Sequence, residues 1–303
     1  MIARAPASSM VHEPGFRVAQ VRVKAMGYQT ILVDRHGPVE LVTMNRPEVR
    51  NAQNTALITE LDEAMRAADD DPAVNVIVLA GAGKDFSAGH DLKAYVGEAP
   101  SDEWHEKRKT PEGKFEHERK MYFEKCLAIR DLTKPTIAMV QGHCVAAGLM
   151  LAAMCDLIVA SDDAVFQNPV LRMTGAGVEV LAEPFGIGFR KAKEFLWTGD
   201  EIDAQEAWRL GLVNRVVPTG KLEEETMGLA ERIAKIPPST AQNVKRSINH
   251  AQDLGGFRSA LEYHFMVHQF QHNTKTALDA LAARQAKSSM KEVFKDRDEQ
   301  FKK

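Results

Sequence analysis

Residues 81–93, Gly-Ala-Gly-Lys-Asp-Phe-Ser-Ala-Gly-His-Asp-Leu-Lys, decide the fold of this chain. They follow residues 74–80, Val-Asn-Val-Ile-Val-Leu-Ala, a β-branched run that predicts a buried strand. Gly81 and Gly83 then allow a sharp turn and a close approach of the backbone to its neighbours. A second break comes at Gly89. This pattern is typical of a backbone site that stabilises an anion at the end of a strand, although an ordinary strand-to-helix turn uses the same residues.

A second segment repeats the arrangement. Residues 134–142, Lys-Pro-Thr-Ile-Ala-Met-Val-Gln-Gly, predict a strand that ends at glycine, and residues 156–161 predict a further buried strand. Between them, residues 149–155 are apolar on every side, which predicts a buried helix that begins near residues 147–148. The N-terminus of a buried helix has unpaired N–H groups and carries about half a positive charge. We therefore expect two sets of backbone donors that flank one developing oxyanion.

These two segments resemble the crotonase (enoyl-CoA hydratase/isomerase) superfamily, and the likeness runs from about Tyr28 to the C-terminus. The motifs that carry it are Leu41-Val42-Thr43-Met44-Asn45-Arg46-Pro47 with Asn51-Ala52, Phe86-Ser87-Ala88-Gly89-His90-Asp91-Leu92, Lys134-Pro135 through Asp156, Thr198-Gly199-Asp200-Glu201-Ile202-Asp203-Ala204, and Ala207-Trp208-Arg209-Leu210-Gly211-Leu212-Val213-Asn214. Their order along the chain is the order in the family.

The resemblance implies an α/β fold with a ββα spiral core over residues 28–218. It also implies a C-terminal helical region, residues 219–303, which packs between subunits of a homotrimer or a dimer of trimers. Residues 1–27 contain Pro6, Pro14 and Gly15 and no apolar stretch, so we expect a flexible N-terminal extension.

The resemblance further implies an acyl-CoA thioester substrate, with no cofactor other than the coenzyme A of that substrate. The thioester oxygen would lie between the backbone N–H groups of His90 and Ala147, which stabilise it as an enolate or a tetrahedral species. Ala88 matches a backbone position that meets the adenine of coenzyme A. Asp91 belongs to the same binding motif, and its side chain fits a cap on the following helix better than a catalyst.

Two residues depart from the family pattern of the enoyl-CoA hydratases, which use two glutamates to position and protonate water. Met150 and Val170 stand at those two positions, where they would contact substrate. Neither side chain can exchange a proton, and a positioned acid or base contributes about 10²–10⁴ in rate. The chain therefore resembles a branch of the family that lacks both hydratase glutamates, and ordinary hydration is expected to be impaired.

Other residues can replace the missing acid and base. Glu179, with Glu183 behind it, is the best substitute, although a solvated loop residue or a charge at a helix N-terminus fits Glu179 as well. His143 lies just before the second backbone donor. It is either a catalyst or a buried histidine whose ring is bonded to the backbone. The side chain of His90 is another candidate, because the family motif assigns a role only to the backbone N–H of this residue.

Several activities therefore remain open. The run Ser87-Ala88-Gly89-His90-Asp91 is similar to that of methylmalonyl-CoA decarboxylase, and decarboxylation needs an oxyanion hole but no strong base. Thioester hydrolysis, isomerisation and hydration by a relocated carboxylate are also compatible with the site. The alternative class is a catalytically weak acyl-CoA-binding protein.

Composition excludes other classes. The 303 residues are 44% hydrophobic with a formal net charge of −3, which favours neither nucleic acid nor a membrane surface as a partner. No apolar run is long enough to span a bilayer. The three cysteines lack a disulfide or metal-ligand spacing, so we expect a cytoplasmic protein.

Two further features have competing interpretations. His264, His268 and His272 share one helix face and can bind a metal, but family chemistry needs none and a polar seam explains them, so no metal is expected. Residues 98–125 are rich in charge, with aromatic residues such as Trp104 and Tyr122 interspersed. They predict either a lid over the acyl group or a solvated pair of helices.

Overall fold

The computed structural model, which describes residues 27–95, 106 and 109–301, has a six-stranded sheet at its centre. The predicted N-terminal extension lies almost entirely outside the described residues, as do residues 98–105, including Trp104. The strands are β1 Ile31–His36, β2 Val39–Met44, β3 Val76–Gly81, β4 Thr136–Val140, β5 His143–Val145, β6 Leu157–Ser161, β7 Val165–Gln167, β8 Ile202–Asp203 and β9 Arg215–Val217. The strands predicted at 74–80, 134–142 and 156–161 are thus confirmed as β3, β4 and β6.

The large sheet has the order β1-β2-β3-β4-β6-β9. Only the β1–β2 pair in it is antiparallel, and the other pairs are parallel. Strands β5, β7 and β8 form a second, smaller sheet. Parallel strands require long crossover connections, and here these connections bring glycine-rich turns from β3 and β4 to the same edge of the fold.

The helices surround both sheets. Their bounds are α1 Thr55–Asp70, α2 Pro111–Glu118, α3 Lys125–Asp131, α4 Ala147–Met154, α5 Glu183–Gly186, α6 Phe189–Thr198, α7 Ala204–Leu210, α8 Leu222–Ala234, α9 Pro238–Leu254, α10 Phe257–His272, α11 Lys275–Gln285 and α12 Met290–Glu299. A π-helical turn, Arg119–Glu124, joins α2 to α3, so the charge-rich segment is helical from Pro111 onward.

Alternate side chains of β3 point to opposite faces of the sheet, and both faces are buried. Ile77 and Leu79 belong to one core cluster, and Val76, Val78 and Ala80 belong to the other. A strand of a mainly parallel sheet is covered on both faces, which is why β3 reads as a continuous apolar run. Helix α8 covers the second face.

The predicted fold class is confirmed. The apolar stretch that begins at Ala147 is the buried helix α4, whose residues lie in the main core. The strands of this α/β fold end at Val217, and helices α8 to α12 make up the described C-terminal region. None of the described helices combines the length and the apolar character needed to cross a membrane.

Candidate active site

Two glycines bring the turn after β3 against the start of α4. A Cβ atom on Gly81 would lie 2.8 Å from Phe86 Cα, and one on Gly89 would lie 2.9 Å from the Val145 carbonyl oxygen and 3.2 Å from the Ala147 nitrogen. Gly89 also has a φ of +88°, which L side chains rarely adopt. Glycine at position 89 therefore allows the loop that contains His90 to contact the first residue of α4.

Among the described residues, the backbone amides of His90 and Ala147 have no hydrogen-bond acceptor. Gln53 N–H donates to Gly89 O at 2.8 Å and Asp91 N–H donates to Gln53 O at 3.0 Å, so the N–H of the intervening His90 points away from Gln53. The first helical bond of α4 runs from Met150 N–H to Ala146 O, which leaves Ala147 N–H at the helix start. Within the part of the chain that the structure describes, neither amide donates a hydrogen bond.

The residue before α4 is strained. Ala146 has φ 50° and ψ −112°, a combination that a side chain with a Cβ disfavours. Its N–H donates to Gln167 O at 2.8 Å, and its carbonyl accepts the first bond of α4, so surrounding contacts hold it in place. Backbone strain of this kind concentrates at functional sites, and here it orients the first turn of α4.

A cavity of about 1000 Å³ opens beside this loop. The predicted site residues that line it are Ala88, His90, His143, Val170 and Glu179. Four arginines also line it, namely Arg50, Arg172, Arg284 and Arg297. The cavity thus brings together residues that are widely separated in sequence, from Arg50 to Arg297.

Glu179 lies in this cavity and contacts His90. Its Oε2 is 2.9 Å from His90 Nε2, and its side chain is only 5% exposed. Burial disfavours the charged carboxylate, but the charge and hydrogen bond of His90 outweigh burial and hold the pKa of Glu179 well below its usual range. The interpretation of Glu179 as a solvated loop residue is therefore wrong.

His143 forms a second carboxylate–histidine pair at the mouth of the cavity. Asp85 Oδ1 accepts hydrogen bonds from the backbone N–H of His143 at 3.0 Å and from its Nδ1 at 2.8 Å. Arg50 Nε donates to Asp85 Oδ2 at 2.8 Å. Burial raises the pKa of Asp85, but these partners outweigh it and lower that pKa to about 2. His143 is half-buried and bonded to a carboxylate, so it is not the fully buried, backbone-bonded histidine considered above.

Ala147 is fully buried behind Val145 and Ala146, which line the large cavity, and three other predicted residues lie away from it. Met150 is buried and lines a small separate space with Cys126 and Tyr122. The Asp91 carboxylate accepts from Lys93 N–H at 3.3 Å, which caps the following 3₁₀ turn as expected, and it pairs with Arg46 at 3.1 Å. Glu183 begins α5 and accepts from Asn168 Nδ2 at 2.6 Å, while burial raises its pKa. Glu183 therefore supports the loop and does not reach the cavity.

The histidines of α10 complete the inner wall. His268 and His272 line the cavity together with Glu118 at the end of α2. The Nε2 atoms of the two histidines are 2.9 Å apart, and His268 Nε2 is 3.9 Å from Glu179 Oε1. His264 instead donates from Nε2 to the carbonyl of Val178 at 2.8 Å. The predicted polar seam thus reaches Glu179 directly.

Sequence reasoning missed Glu118 on this wall and Tyr122 behind it, which packs on His90 without lining the cavity. Glu118 is 2% exposed and accepts from Gln269 Nε2 at 2.7 Å, across 151 residues of sequence. Tyr122 packs its ring 4.3 Å from the ring of His90, between centroids. Both lie in the charge-rich segment, where the only available signal was a few aromatic residues among many charges, and nothing marked which acid would be buried.

The spiral of strands and helices, with a glycine-rich turn against a buried helix start, defines a crotonase-fold enzyme. The chain belongs to the enoyl-CoA hydratase/isomerase family, whose model matches residues 34–296. The family predicted from the motifs is therefore confirmed.

Individual relatives agree with this assignment. The putative enoyl-CoA hydratase EchA13 of Mycobacterium tuberculosis is 41% identical over 256 residues, which cover 81% of this chain and 80% of that protein. A probable enoyl-CoA hydratase of Mycobacterium smegmatis has a crystal structure that matches with a TM-score of 0.76 at 41% identity, over 84% of this chain and 98% of the other. The crystal structure of an enoyl-CoA hydratase/isomerase from Xanthobacter autotrophicus Py2 matches with a TM-score of 0.83 at 30% identity, over 91% of this chain and 100% of the other.

Proposed function

We propose that this protein binds an enoyl-CoA thioester in the large cavity and moves a proton along its acyl chain, as an isomerase does. The contact between Glu179 and His90 carries the proposal. It provides a buried carboxylate for proton transfer, within a cavity next to two backbone amides that have no acceptor among the described residues.

The amides of His90 and Ala147 are the oxyanion hole of the proposed reaction. Removal of a proton from an acyl chain places negative charge on the thioester oxygen, and fixed donors stabilise that charge without reorganising. The start of α4 adds the positive end of a helix dipole, in a buried setting where the dipole is weakly screened. One donor of this kind is worth about 10²–10³ in rate.

Glu179 is the proposed base. Oε2 accepts the hydrogen bond of His90, whereas Oε1 accepts none from the described residues. The low pKa of Glu179 keeps it ionised near neutral pH, with Oε1 available to accept a proton from carbon. It also makes Glu179 a weak base, so the transfer depends on the oxyanion hole to acidify the acyl carbon. Returning the same proton to another carbon of the enolate shifts the double bond, so one carboxylate is sufficient and the absence of acids at Met150 and Val170 does not prevent the reaction.

The remainder of the cavity suits a large anionic ligand. Its volume of about 1000 Å³ lies at the upper end of the range typical of small-molecule sites, about 300–1000 Å³. Ala88 lines it, as expected for the backbone position that meets adenine, and four arginines supply donors suited to phosphate groups. These features support coenzyme A as part of the substrate.

Hydration is the second candidate. The relatives are named as enoyl-CoA hydratases, and the Glu179–His90 pair contains two groups that exchange protons. A carboxylate and an imidazole in contact can position water and return a proton to the substrate. Decarboxylation is less well supported, because a substrate carboxylate would lie in a cavity that already holds Glu118 and Glu179.

An assay in D₂O with two substrates tests the proposal. A 3-enoyl-CoA should convert to the 2-enoyl-CoA with little deuterium in the acyl chain, because the proton that Glu179 removes is the proton that it returns, while crotonyl-CoA should be hydrated slowly. Mass spectrometry measures both products. Rapid hydration of crotonyl-CoA would select the second candidate. Calorimetric binding of a non-reactive acyl-CoA with neither reaction would show a binding protein and overturn both activities.

We also propose that the C-terminal helices pack between subunits. Tyr263, Met266, Val267 and Phe270 lie at spacings of three and four residues on α10, and all are exposed, with Tyr263 and Phe270 each 73% exposed. The opposite face of α10 is buried in the chain. An apolar stripe of this kind on a single chain indicates a surface that another subunit covers, which supports the expected homotrimer or dimer of trimers.

A further inference from the structure

We propose that Glu118, His268 and His272 bind a divalent transition-metal ion of the zinc class on the inner wall of the cavity. The sequence alone favoured a polar seam without a metal at these histidines. The structure adds Glu118, which the histidine spacing did not reveal, and thereby completes a three-residue donor set.

The distances among the three donor atoms fit one ion. Nε2 of His268 and Nε2 of His272 are 2.9 Å apart, and Glu118 Oε2 lies 3.6 and 3.8 Å from them. The point equidistant from three atoms at these separations lies about 2.0 Å from each, which is the length of a zinc–nitrogen or zinc–oxygen bond, about 2.0–2.2 Å. Two histidines and one carboxylate are a common ligand set of zinc sites that keep one position open.

Helix geometry places the two nitrogens correctly. His268 and His272 are separated by one turn of α10, and histidines at i and i+4 on one face are a recurrent pair of metal ligands. Glu118 approaches from α2, so the ion would join two helices that are distant in sequence. The π-helical turn begins at the next residue, Arg119, and such turns occur frequently at functional sites.

Buried negative charge at the site favours a cation. Glu118 and Glu179 place two buried carboxylates within 4 Å of His268 Nε2, at 3.6 and 3.9 Å. Lys114 Nζ lies 4.0 Å from Glu118 Oε1, and Gln269 Nε2 donates to Oε2 at 2.7 Å, so Oε2 would coordinate an ion through its second lone pair. A divalent cation would offset negative charge that the fold has buried here.

The position of the ion gives it a role in the cavity. All three ligands line the cavity, so the fourth coordination position would face a bound ligand. An oxygen atom of the acyl group could occupy it, which would favour acyl chains with a polar group at this end. The ligands include neither Glu179 nor the two backbone amides, so metal binding can be measured without the reaction proposed above, although His268 Nε2 lies 3.9 Å from Glu179 Oε1.

Metal titration of the full-length protein tests the site. After treatment with chelator, the wild type should bind about one Zn²⁺ per chain in calorimetry, and Co²⁺ should give the visible d–d bands of a four-coordinate site. His272→Gln and Glu118→Gln should each weaken Zn²⁺ binding by about 100-fold or more. His250→Gln changes an exposed histidine on α9 and serves as the matched control, with wild-type affinity.

Circular dichroism and thermal unfolding of the metal-free variants separate loss of the site from loss of the fold. Absence of saturable binding by the wild type would overturn the proposal. It would also be overturned if folded His272→Gln and Glu118→Gln bound Zn²⁺ as the wild type does, or if His250→Gln removed the binding. None of these results depends on enzymatic activity, so failure of the metal site and failure of the proposed reaction are distinguishable.

Discussion

Nε2 of His90 lies 2.9 Å from a carboxylate oxygen of Glu179, although 89 residues separate the two in sequence. His90 therefore contributes to the proposed site twice, through its backbone N–H at the oxyanion hole and through its ring at the base. This arrangement links the position of the proposed base to the loop that we propose holds the thioester oxygen. Any displacement of residues 88–91 is expected to disturb both functions together.

Substitution of Glu179 tests its role as the base. Glu179→Gln keeps the shape of the side chain and removes its capacity to accept a proton, so kcat should fall by about 10²–10⁴ while the Kd for a non-reactive acyl-CoA changes little. Isomerase kinetics and calorimetry measure the two quantities. Glu183→Gln is the matched control, because Glu183 is equally buried but bonded to Asn168 outside the cavity. Equal turnover by Glu179→Gln and wild type would contradict the assignment.

A double-mutant cycle tests whether the pair acts as a unit. His90→Ala keeps the backbone amide but removes the partner that holds the pKa of Glu179 low, so turnover should fall while acyl-CoA binding persists. Residues that act together give non-additive losses, and the double variant His90→Ala/Glu179→Gln should be little worse than the poorer single variant. His143→Ala serves as the comparison, because its ring contacts Asp85 and not Glu179. Fully additive losses would indicate independent roles.

The extent to which this site follows from sequence differs among its parts. β3, β4, β6 and α4 were predictable because each is a continuous apolar run, and such local patterns depend on few distant contacts. The inner wall was not predictable, because Glu118 meets α10 only through contacts that span 151 residues. Glu179 was identified as a candidate, but its burial depends on His90 and on the α10 histidines.

The ion pairs of Asp85 predict a pH dependence of stability. The pKa of Asp85 in the folded protein is about 2, below the value of about 4 in unfolded chains. The folded state thus binds fewer protons, so the stabilisation is complete above about pH 4 and is lost as the pH falls toward 2. Arg50 and His143 are 43% and 42% exposed, so solvent screening limits the effect to about 1 kcal/mol.

The difference in unfolding free energy between wild type and Asp85→Asn measures this contribution. Denaturant unfolding should give a difference of about 1 kcal/mol at pH 6 and a smaller one at pH 3. Asp62→Asn, which removes a carboxylate that pairs with Arg66 and Lys125 elsewhere on the chain, is a suitable comparison. A difference that grew as the pH fell would show that Asp85 is not stabilised as its contacts indicate.

The exposed stripe on α10 predicts an effect on assembly. Phe270→Glu places a charge on a side chain that is 73% exposed in the single chain, so the monomer should fold normally while a subunit interface should be disrupted. Light scattering coupled to size-exclusion chromatography measures the mass. Phe189→Glu is the matched control, because Phe189 is 69% exposed on α6, away from the stripe. An unchanged mass for Phe270→Glu would show that this face does not hold subunits together.

Gly89 offers a test of the oxyanion hole that does not involve the acid or base. Gly89→Ala combines a φ of +88° with a Cβ 2.9 Å from the Val145 carbonyl and 3.2 Å from the Ala147 nitrogen, so the loop must move away from α4. Gly188→Ala has a similar φ of +78° but meets no atom within 4 Å, and it isolates the cost of the backbone conformation. Gly188→Ala should lose about 1–3 kcal/mol of stability, the cost of a backbone conformation that favours glycine, and Gly89→Ala should lose more because its Cβ also meets the Val145 carbonyl oxygen at 2.9 Å.

Only Gly89→Ala should lose activity, by about 10²–10³ in kcat, because only there does the substitution separate the two backbone donors. Kinetics at a temperature where both variants remain folded, verified by circular dichroism, gives the comparison. Equal losses of activity in the two variants would mean that backbone strain alone is responsible. Full activity in Gly89→Ala would show that the close contact between the His90 loop and the start of α4 is not needed for the reaction.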